Sequence, residues 1–120
     1  MEITQINEQD LDELSTLYQQ LLANDISLEL MKSVLRKNKD NANHIVLAAK
    51  IKGKLVGTLL ANICEMLFGQ CKSFMVIEDV VVDLAYRQQG VGRALMEYAE
   101  QYAKQPKVVA HYYQEKCAHC

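Results

Sequence analysis

Residues 80–95 read VVVDLAYRQQGVGRAL, and this stretch decides how the rest of the chain is arranged. An apolar, strand-like run ends at Val82, a short loop follows, and a helical pattern begins at the glycine pair Gly90 and Gly92. The first turn of a helix leaves backbone N–H groups without acceptors, and the helix dipole adds about half a positive charge there. The stretch therefore predicts a binding site for an anion, above all a phosphate.

The side chains of the loop favour the same ligand. Gly90 and Gly92 lack side chains that would hold a pyrophosphate away from the N–H groups, and Arg87 and Arg93 supply cations that pair with phosphate oxygens. Two other phosphate motifs do not fit. A P-loop needs Lys and Ser or Thr after its second glycine, whereas arginine and alanine follow Gly92; a dinucleotide fingerprint needs a third glycine where this chain has Leu95.

The segments before this stretch predict one strand and two helices. Residues 1–6 alternate and suit a short strand. Asn7 is a helix N-cap, and the helix that it begins is expected to run to residues 24–25. Ser27 caps a second helix. The residues expected to form the apolar stripe of the first helix are Leu11, Leu14, Leu17, Leu21 and Leu22.

The remaining pattern predicts a sheet. Residues 44–51, 55–68 and 73–83 are β-rich runs joined by short turns, which predicts an antiparallel meander. A helix over residues 91–105, stopped by Pro106, and a strand over residues 107–110 then form a crossover. The fold class is α/β (α+β), a mixed but mainly antiparallel sheet with flanking helices, in one domain over residues 1–120.

Composition excludes several classes of protein. The net charge of −2 argues against nucleic-acid binding, which normally shows as a basic surplus. The sequence contains no apolar run of the roughly 20 residues that span a bilayer, and its N-terminus has no secretory signal pattern. We expect a cytoplasmic protein whose partners include neither nucleic acid nor membrane.

The expected cytoplasmic compartment also predicts the redox state of the four cysteines. Cys64, Cys71, Cys117 and Cys120 are expected to be free thiols. Cys117, His119 and Cys120 have the spacing of half a zinc site, but a closed site needs four ligands, and no Cys-x-x-Cys pair stands elsewhere in the sequence. We predict no metal site.

Residues 82–92 resemble the signature of the GNAT superfamily of N-acetyltransferases. The signature is Arg/Gln-x-x-Gly-x-Gly/Ala, preceded by a strand of the form x-Val-x-Pro-x-Tyr-Arg, with Leu84 here where proline is common. The resemblance covers roughly residues 3–110. It implies a GNAT-like acyl-CoA N-acyltransferase fold and an acetyl-CoA-dependent transfer of the acetyl group to a primary amine of a small molecule or peptide.

The resemblance also implies roles for particular residues. The backbone of Val80, Val81 and Val82, on a bulged strand, would bond the pantetheine arm, with Arg87 and Arg93 beside the pyrophosphate. The residues whose amides would hold the pyrophosphate are Gln88, Gln89, Gly90, Val91 and Gly92. Two plainer interpretations stay open: the valines as sheet core, and the glycine loop as an ordinary helix start.

Acetyl transfer also needs a group that deprotonates the amine and one that protonates the leaving thiolate. Glu78 and Asp79 interrupt an apolar strand, and alternation predicts that they lie on opposite faces with one beside the cleft. The pair resembles the Glu-Asp of glucosamine-6-phosphate N-acetyltransferases, although both acids could instead face solvent. Tyr113 is the nearest equivalent of the tyrosine that family members place in a later helix, although it could instead lie on an exposed tail.

The C-terminal pattern departs from the family. Members continue after the fifth strand through a helix and further strands, whereas here residues 108–110 run directly into the tyrosine segment. If the chain is complete, an open sheet edge predicts a homodimer, with exchange of the C-terminal segments as one form of it. The shortening also leaves two other functions open: a catalytically impaired domain that binds acyl-CoA, and an interaction domain without a cofactor.

Overall fold

The computed structural model describes residues 1–23, 25–69, 71, 73–103, 108–113 and 117–118, the last two ranges at the level of the backbone. The helices are α1 (Leu11–Tyr18), α2 (Leu28–Lys37) and α3 (Val91–Ala103). The strands are β1 (Glu2–Gln5), β2 (His44–Ile51), β3 (Lys54–Glu65), β4 (Ser73–Val82), β5 (Val108–Tyr113) and β6 (Cys117–Ala118).

The described strands form one mixed sheet. Its order is β1-β2-β3-β4-β5, and the pairs β1–β2, β2–β3 and β3–β4 are antiparallel. β5 lies parallel to β4 beyond the helix α3, and β6 also pairs with β4 in parallel. The structure thereby confirms the meander, the crossover and the mixed α/β class.

Helices cover both faces of the sheet, which makes three layers. On one face, Val91, Leu95, Ala99 and Ala103 of α3 pack on the buried side chains of β2, β3 and β4. On the other face, α1 packs its stripe of leucines against the sheet, with α2 lying beside it. Burial of apolar surface on both faces is the main term that holds the layers together.

Polar side chains cap the start of the first two helical segments, as the sequence predicts. The Asn7 side chain accepts a hydrogen bond from the Gln9 N–H, and the Asp10 carboxylate accepts one from the Asn7 N–H. The Ser27 hydroxyl accepts one from the Leu30 N–H at the start of α2. Asn7 caps a 3-10 turn (Glu8–Asp10) that leads into α1, because the capping box closes on Asp10.

The expectation that the first helix reaches residues 24–25 is wrong. α1 ends at Tyr18, since the N–H of Gln20 bonds to the carbonyl of Leu17 and that of Leu21 bonds to Tyr18, a tighter spacing than in an α-helix. Leu22 is 58% exposed and lies outside the apolar stripe. The periodicity of the leucines therefore extends past the end of the helix.

Strand ends also differ from the expectation. β3 stops at Glu65 rather than residue 68 because β4 begins only at its partner Ser73. Leu67 and Phe68 consequently lie in the connection, 97% and 84% exposed. Asp83 lies just past the end of β4, where its carboxylate caps a further 3-10 turn.

The C-terminal elements are longer than predicted. β5 spans Val108–Tyr113 instead of residues 107–110, so Tyr113 belongs to a strand rather than to an exposed tail or a later helix. β6 was not expected. The described part of α3 ends at Ala103, and the predicted stop at Pro106 lies outside the described residues.

Candidate functional site

β4 carries a bulge near its middle. Leu60 of β3 pairs with Glu78 of β4. Thr58 lies two residues before Leu60 in β3, and its partner Val81 lies three residues after Glu78 in β4. One residue of β3 therefore lies opposite two of β4, and one of these two, Asp79, has a φ of +53°. A left-handed backbone at a non-glycine residue costs about 1 to 3 kcal/mol, so the packing around it must hold the bulge in place.

The bulge reverses the alternation of side chains along β4. Before it, Met75 and Ile77 are buried in the core under α3; after it, Val80 and Val82 occupy that core. Regular alternation does not pass through the bulge, so it no longer fixes the faces of Glu78 and Asp79, and their placement on opposite faces stays a prediction. Both acids are half-buried.

Glu78 lies on the face of the sheet that α1 and α2 cover. Its neighbour Ile77 is buried on the α3 side, and its cross-strand partner Leu60 lies on the opposite side, in the space beneath α1 and α2. Because paired residues of an antiparallel ladder share a face, the Glu78 side chain lies on the same face as Leu60.

Tyr18 at the end of α1 reaches the same place. Burial, together with the negative charge of Asp79, raises the pKa of its phenol to about 12, and a hydrogen bond with Thr58 opposes the shift. Thr58 is fully buried, and its hydroxyl donates to the Leu47 carbonyl over 2.8 Å. Tyr18 therefore keeps its proton at neutral pH and can act as a hydrogen-bond donor rather than a base.

The loop after β4 is tied to the sheet. The Asp83 N–H donates to the Val56 carbonyl over 2.8 Å, and its carboxylate accepts from the Ala85 N–H over 3.0 Å. The Lys54 ammonium lies 3.8 Å from the same carboxylate and 5.3 Å from the centre of the Tyr86 ring. These contacts position the start of the segment that leads to α3.

The end of the loop carries the residues of the predicted anion site. Gln88 and Gly90 have φ values of +65° and +83°, which turn the chain sharply into α3. The Ala94 N–H donates to the Gly90 carbonyl over 3.0 Å and makes the first helical hydrogen bond. The N–H groups of the three residues between them precede that bond and so have no acceptor within the helix.

These N–H groups border an open pocket of about 340 Å³. Seven of the ten residues predicted to bind the cofactor line it: Val82, Arg87, Gln88, Gly90, Val91, Gly92 and Arg93. The Arg87 Nε donates to the Val82 carbonyl over 3.1 Å, which holds the guanidinium against the strand end. Arg93 is exposed. The pocket combines unpaired amides with two cations, the chemistry that a pyrophosphate requires.

A second pocket of about 400 Å³ lies between α1, α2 and the sheet. Its lining includes Leu14, Tyr18, Met31, Val46 and Leu60, the last of which pairs with Glu78 of β4.

The chain matches the model of the acetyltransferase (GNAT) family over residues 8–116. This chain belongs to the GNAT acetyltransferase family. The match includes the bulged strand, the glycine loop and α3, which identifies the resemblance seen in residues 82–92 as a family relationship. Members of the family are acetyltransferases, and this supports acyltransferase activity.

Solved structures share this GNAT fold at low identity. The glucosamine-6-phosphate N-acetyltransferase of Arabidopsis thaliana is 20% identical, with a TM-score of 0.86 over 98% of this chain and 82% of that one. A Trypanosoma brucei acetyltransferase is 22% identical, with a TM-score of 0.82 over 95% and 82%. An aminoglycoside acetyltransferase from an uncultured soil metagenomic sample is 23% identical, with a TM-score of 0.75 over 94% and 76%. At these identities the likeness establishes the fold.

The remaining predicted residues fall into different surroundings. Val80 and Val81 are fully buried, and the edge of β4 that carries them pairs with Cys117 and Ala118 of β6. The pyrophosphate end of the predicted GNAT cofactor site is thus open, whereas the edge expected to bond pantetheine has a partner within the chain. Gln89 is exposed, and its side-chain amide donates to the Ala85 carbonyl over 3.4 Å.

The predicted proton donor lies on β5. Tyr113 is paired in register with Ile77, two residues before the bulge in β4. Its backbone therefore lies beside the strand that carries Glu78 and Asp79, and its role stays a prediction. The side chains of Cys117, His119 and Cys120 lie outside the described residues; within the described part, no three His, Cys, Asp or Glu side chains group closely enough to hold a metal ion.

Sequence reasoning missed Tyr18 and Thr58. Tyr18 follows Leu11 and Leu14 at helical spacing, so it reads as one more residue of the apolar stripe. Nothing in the local sequence shows that its hydroxyl meets Thr58 and Asp79, which come from two distant strands.

None of the helices in the described part of the chain is long and apolar enough to cross a bilayer.

Proposed function

We propose that this chain is an acetyl-CoA-dependent N-acetyltransferase that moves the acetyl group directly to a primary amine of a small molecule or peptide in the cytoplasm. The observation that carries the proposal is the pocket at the start of α3, where unpaired amides and two arginines meet beside the end of a bulged strand. The family relationship supports the acyl transfer.

The residues around the glycine loop fit the diphosphate of coenzyme A. A Cβ at Gly90 would meet nothing within 4 Å, so the space in front of this backbone is free for phosphate oxygens. The amides of residues 88–92 would bind the pyrophosphate, with Arg87 and Arg93 neutralising its charge. When bound, acetyl-CoA supplies an activated thioester.

The protein's own groups would then handle protons and charge. A primary amine of the lysine type has a pKa of about 10.4 and must lose a proton before it can attack. Glu78 and Asp79 are half-buried at the bulge and are the candidates that accept this proton, directly or through water. The bulge leaves backbone groups of β4 outside the regular ladder, and one of these N–H groups could stabilise the developing oxyanion.

Tyr113 is proposed to protonate the leaving thiolate. Its place in β5, next to Ile77, brings its backbone to the strand that carries the two acids. Tyr113→Phe should lower kcat by about 10- to 100-fold without changing the affinity for coenzyme A, as expected for loss of one proton donor. Unchanged kcat would remove Tyr113 from the mechanism.

The proposed cofactor site is tested by two matched glycine variants. Gly90 and Gly53 both have positive φ, +83° and +81°, and a Cβ added at either residue would meet no atom within 4 Å. Ala at either position should cost similar stability, but only Gly90→Ala should weaken coenzyme A binding, by about tenfold or more. The measurement is thermal shift against acetyl-CoA; equal effects of both variants would contradict the proposal.

A second candidate function is favoured by the pairing of β6. Because Cys117 and Ala118 lie along the edge of β4 at Val80 and Val81, the chain could bind acyl-CoA weakly or without turnover. Release of free thiol from acetyl-CoA with a panel of amines separates the two candidates. Binding without thiol release would identify a catalytically impaired acyl-CoA-binding domain.

A further inference from the structure

The pocket between α1, α2 and the sheet is apolar. Ten of its fourteen lining residues are apolar, with Leu14, Met31, Val46 and Leu60 among them. Its volume of about 400 Å³ lies within the range of about 300 to 1,000 Å³ that is usual for small organic ligands.

Four polar residues are among those that line this pocket: Tyr18, Asp25, Ser27 and His44. The phenol of Tyr18 is close to Thr58 and feels the negative charge of Asp79. Leu60, which lines the pocket, pairs with Glu78, so the Glu78 side chain lies on the same face of the sheet. A cation bound beside Tyr18 would therefore lie near the negative charge of Asp79.

We propose that this pocket binds the acceptor, and that the acceptor is a small primary amine with an apolar substituent, held with its nitrogen at the bulge. The inference rests on the proposed function and adds the substrate class to it. Apolar walls match the substituent, while Glu78 and Asp79 match the ammonium group.

The same walls disfavour strongly polar amines. The described lining of the pocket has no Lys or Arg and one imidazole, that of His44, so a sugar phosphate would find no ammonium or guanidinium group there. An aminoglycoside or amino sugar would bury hydroxyl groups with few partners, and each unpaired buried group costs about 1 to 3 kcal/mol. The acceptors named for two of the structural neighbours therefore do not suit this pocket.

The exposure of apolar side chains on α2 favours a ligand at this position. None of its residues is buried, and Leu30 and Val34, which line the pocket, are 69% and 51% exposed. An apolar molecule in the pocket would cover these side chains, in addition to the contacts that Met31 and Leu35 of α2 already make with the core under α1.

The test compares amines that differ in their apolar part. Acetyl transfer to hexylamine and 2-phenylethylamine is measured beside ethanolamine and glucosamine 6-phosphate, at fixed acetyl-CoA. We expect kcat/KM to be at least about 30-fold higher for the first two than for ethanolamine, since each buried CH₂ contributes about 0.8 kcal/mol. Similar values, or a preference for the sugar phosphate, would overturn the proposal.

A matched pair of variants tests whether this pocket causes the preference for apolar amines. Met31→Gln keeps the length of the side chain and makes the pocket wall polar, whereas Met66→Gln makes the same change at a residue 37% exposed outside the pocket. Met31→Gln should raise the KM for hexylamine by about 5- to 10-fold and leave that for ethanolamine unchanged. An equal effect of Met66→Gln would contradict the assignment.

Equilibrium binding separates the two proposals from each other. Hexylamine binding to the wild type and to Met31→Gln is measured by calorimetry without acetyl-CoA. Binding that Met31→Gln weakens, without any thiol release, would refute the transferase and keep the pocket assignment. Thiol release with amines that bind independently of Met31 would refute the pocket assignment and leave the transferase standing. A dimer that Leu30→Gln dissociates would also refute the pocket assignment, because a second copy of the chain would then fill the pocket.

Discussion

A phenol and a carboxylate share the half-buried space at the bulge of β4. Tyr18 is carried there by the last turn of α1, and Asp79 by a left-handed backbone in the strand. Burial and the negative charge of Asp79 raise the pKa of the phenol, so Tyr18 remains a hydrogen-bond donor at neutral pH. At the scale of single residues, the site is therefore set by where two distant side chains meet.

The raised pKa of Tyr18 predicts a pH effect on stability. The folded-state pKa of about 12 lies above the ordinary value of 10.0, so the native state holds this proton more tightly than the unfolded state. The contribution of this proton to the free energy of unfolding is complete below about pH 10. It falls by about 2 to 3 kcal/mol as the pH rises towards 12. Denaturant titrations of wild type and Tyr18→Phe at pH 8 and pH 11.5 measure it.

Tyr18→Phe serves as the reference because it removes the titration and keeps the ring. The stability of wild type relative to this variant should fall as the pH rises between the two values. A constant difference would show that the phenol is not shielded from solvent, which would contradict its placement at the bulge.

Gly57 sets the distance between α3 and the sheet. A Cβ at this residue would lie 2.8 Å from the Val91 Cγ1 and 3.1 Å from the Leu95 Cδ1. Gly57→Ala should cost about 1 to 3 kcal/mol of stability by overpacking. It should also weaken coenzyme A binding, because Val91 is the first residue of α3 at the glycine loop.

The double variant Gly57→Ala/Val91→Ala tests this reason. Removing the Val91 methyl groups relieves the closest contact, so the double variant should be more stable than the sum of the two single changes predicts. Strict additivity in urea unfolding would mean that the contact with Val91 is not the cause.

A partly buried ion pair joins the first helical segment to β2. The Asp10 carboxylate accepts from the Lys50 ammonium over 2.7 Å and from the Asn7 N–H over 3.0 Å, so one side chain caps the first helical segment and links it to β2. Asp10 is only 4% exposed. The hydrogen bond to Asp10 is the main cause that raises the pKa of Lys50.

Removal of this carboxylate should destabilise the fold. Asp10→Ala leaves Lys50 without its partner and the Asn7 N–H without its acceptor, which should cost about 3 kcal/mol by thermal unfolding at pH 7. Glu8→Ala is the control, because the ion pair of Glu8 with Arg36 is exposed and should contribute less than about 1 kcal/mol. Equal losses in the two variants would contradict the role of burial.

The sheet as a whole predicts the oligomeric state. β5 is the last strand in the order of the sheet, and the open edge expected from the sequence leads us to propose a homodimer, including the form with exchanged C-terminal segments. Light scattering on the purified chain should give twice the mass of 13.6 kDa at micromolar concentration. A monomer under these conditions would refute the dimer.

Much of the fold could be predicted because its signals are local. The hairpins follow from β-rich runs and turns, and the caps at Asn7 and Ser27 follow from side chains that bond within three residues. The end of β3 could not, because it depends on a partner elsewhere: β3 stops where its ladder with β4 stops. The C-terminal pairing of β5 and β6 with β4 likewise depends on contacts across the sheet.

The sequence by itself determined the family, the mixed sheet and the glycine loop at the start of α3, because backbone geometry and helix termini depend on near neighbours. A bulge in β4 was implied by the family resemblance, but only the tertiary structure decided its position at Asp79, the meeting of Tyr18 with Thr58, and the apolar pocket under α2. Each of these joins residues from different elements, and their distances are fixed by how the layers pack rather than by any spacing along the chain.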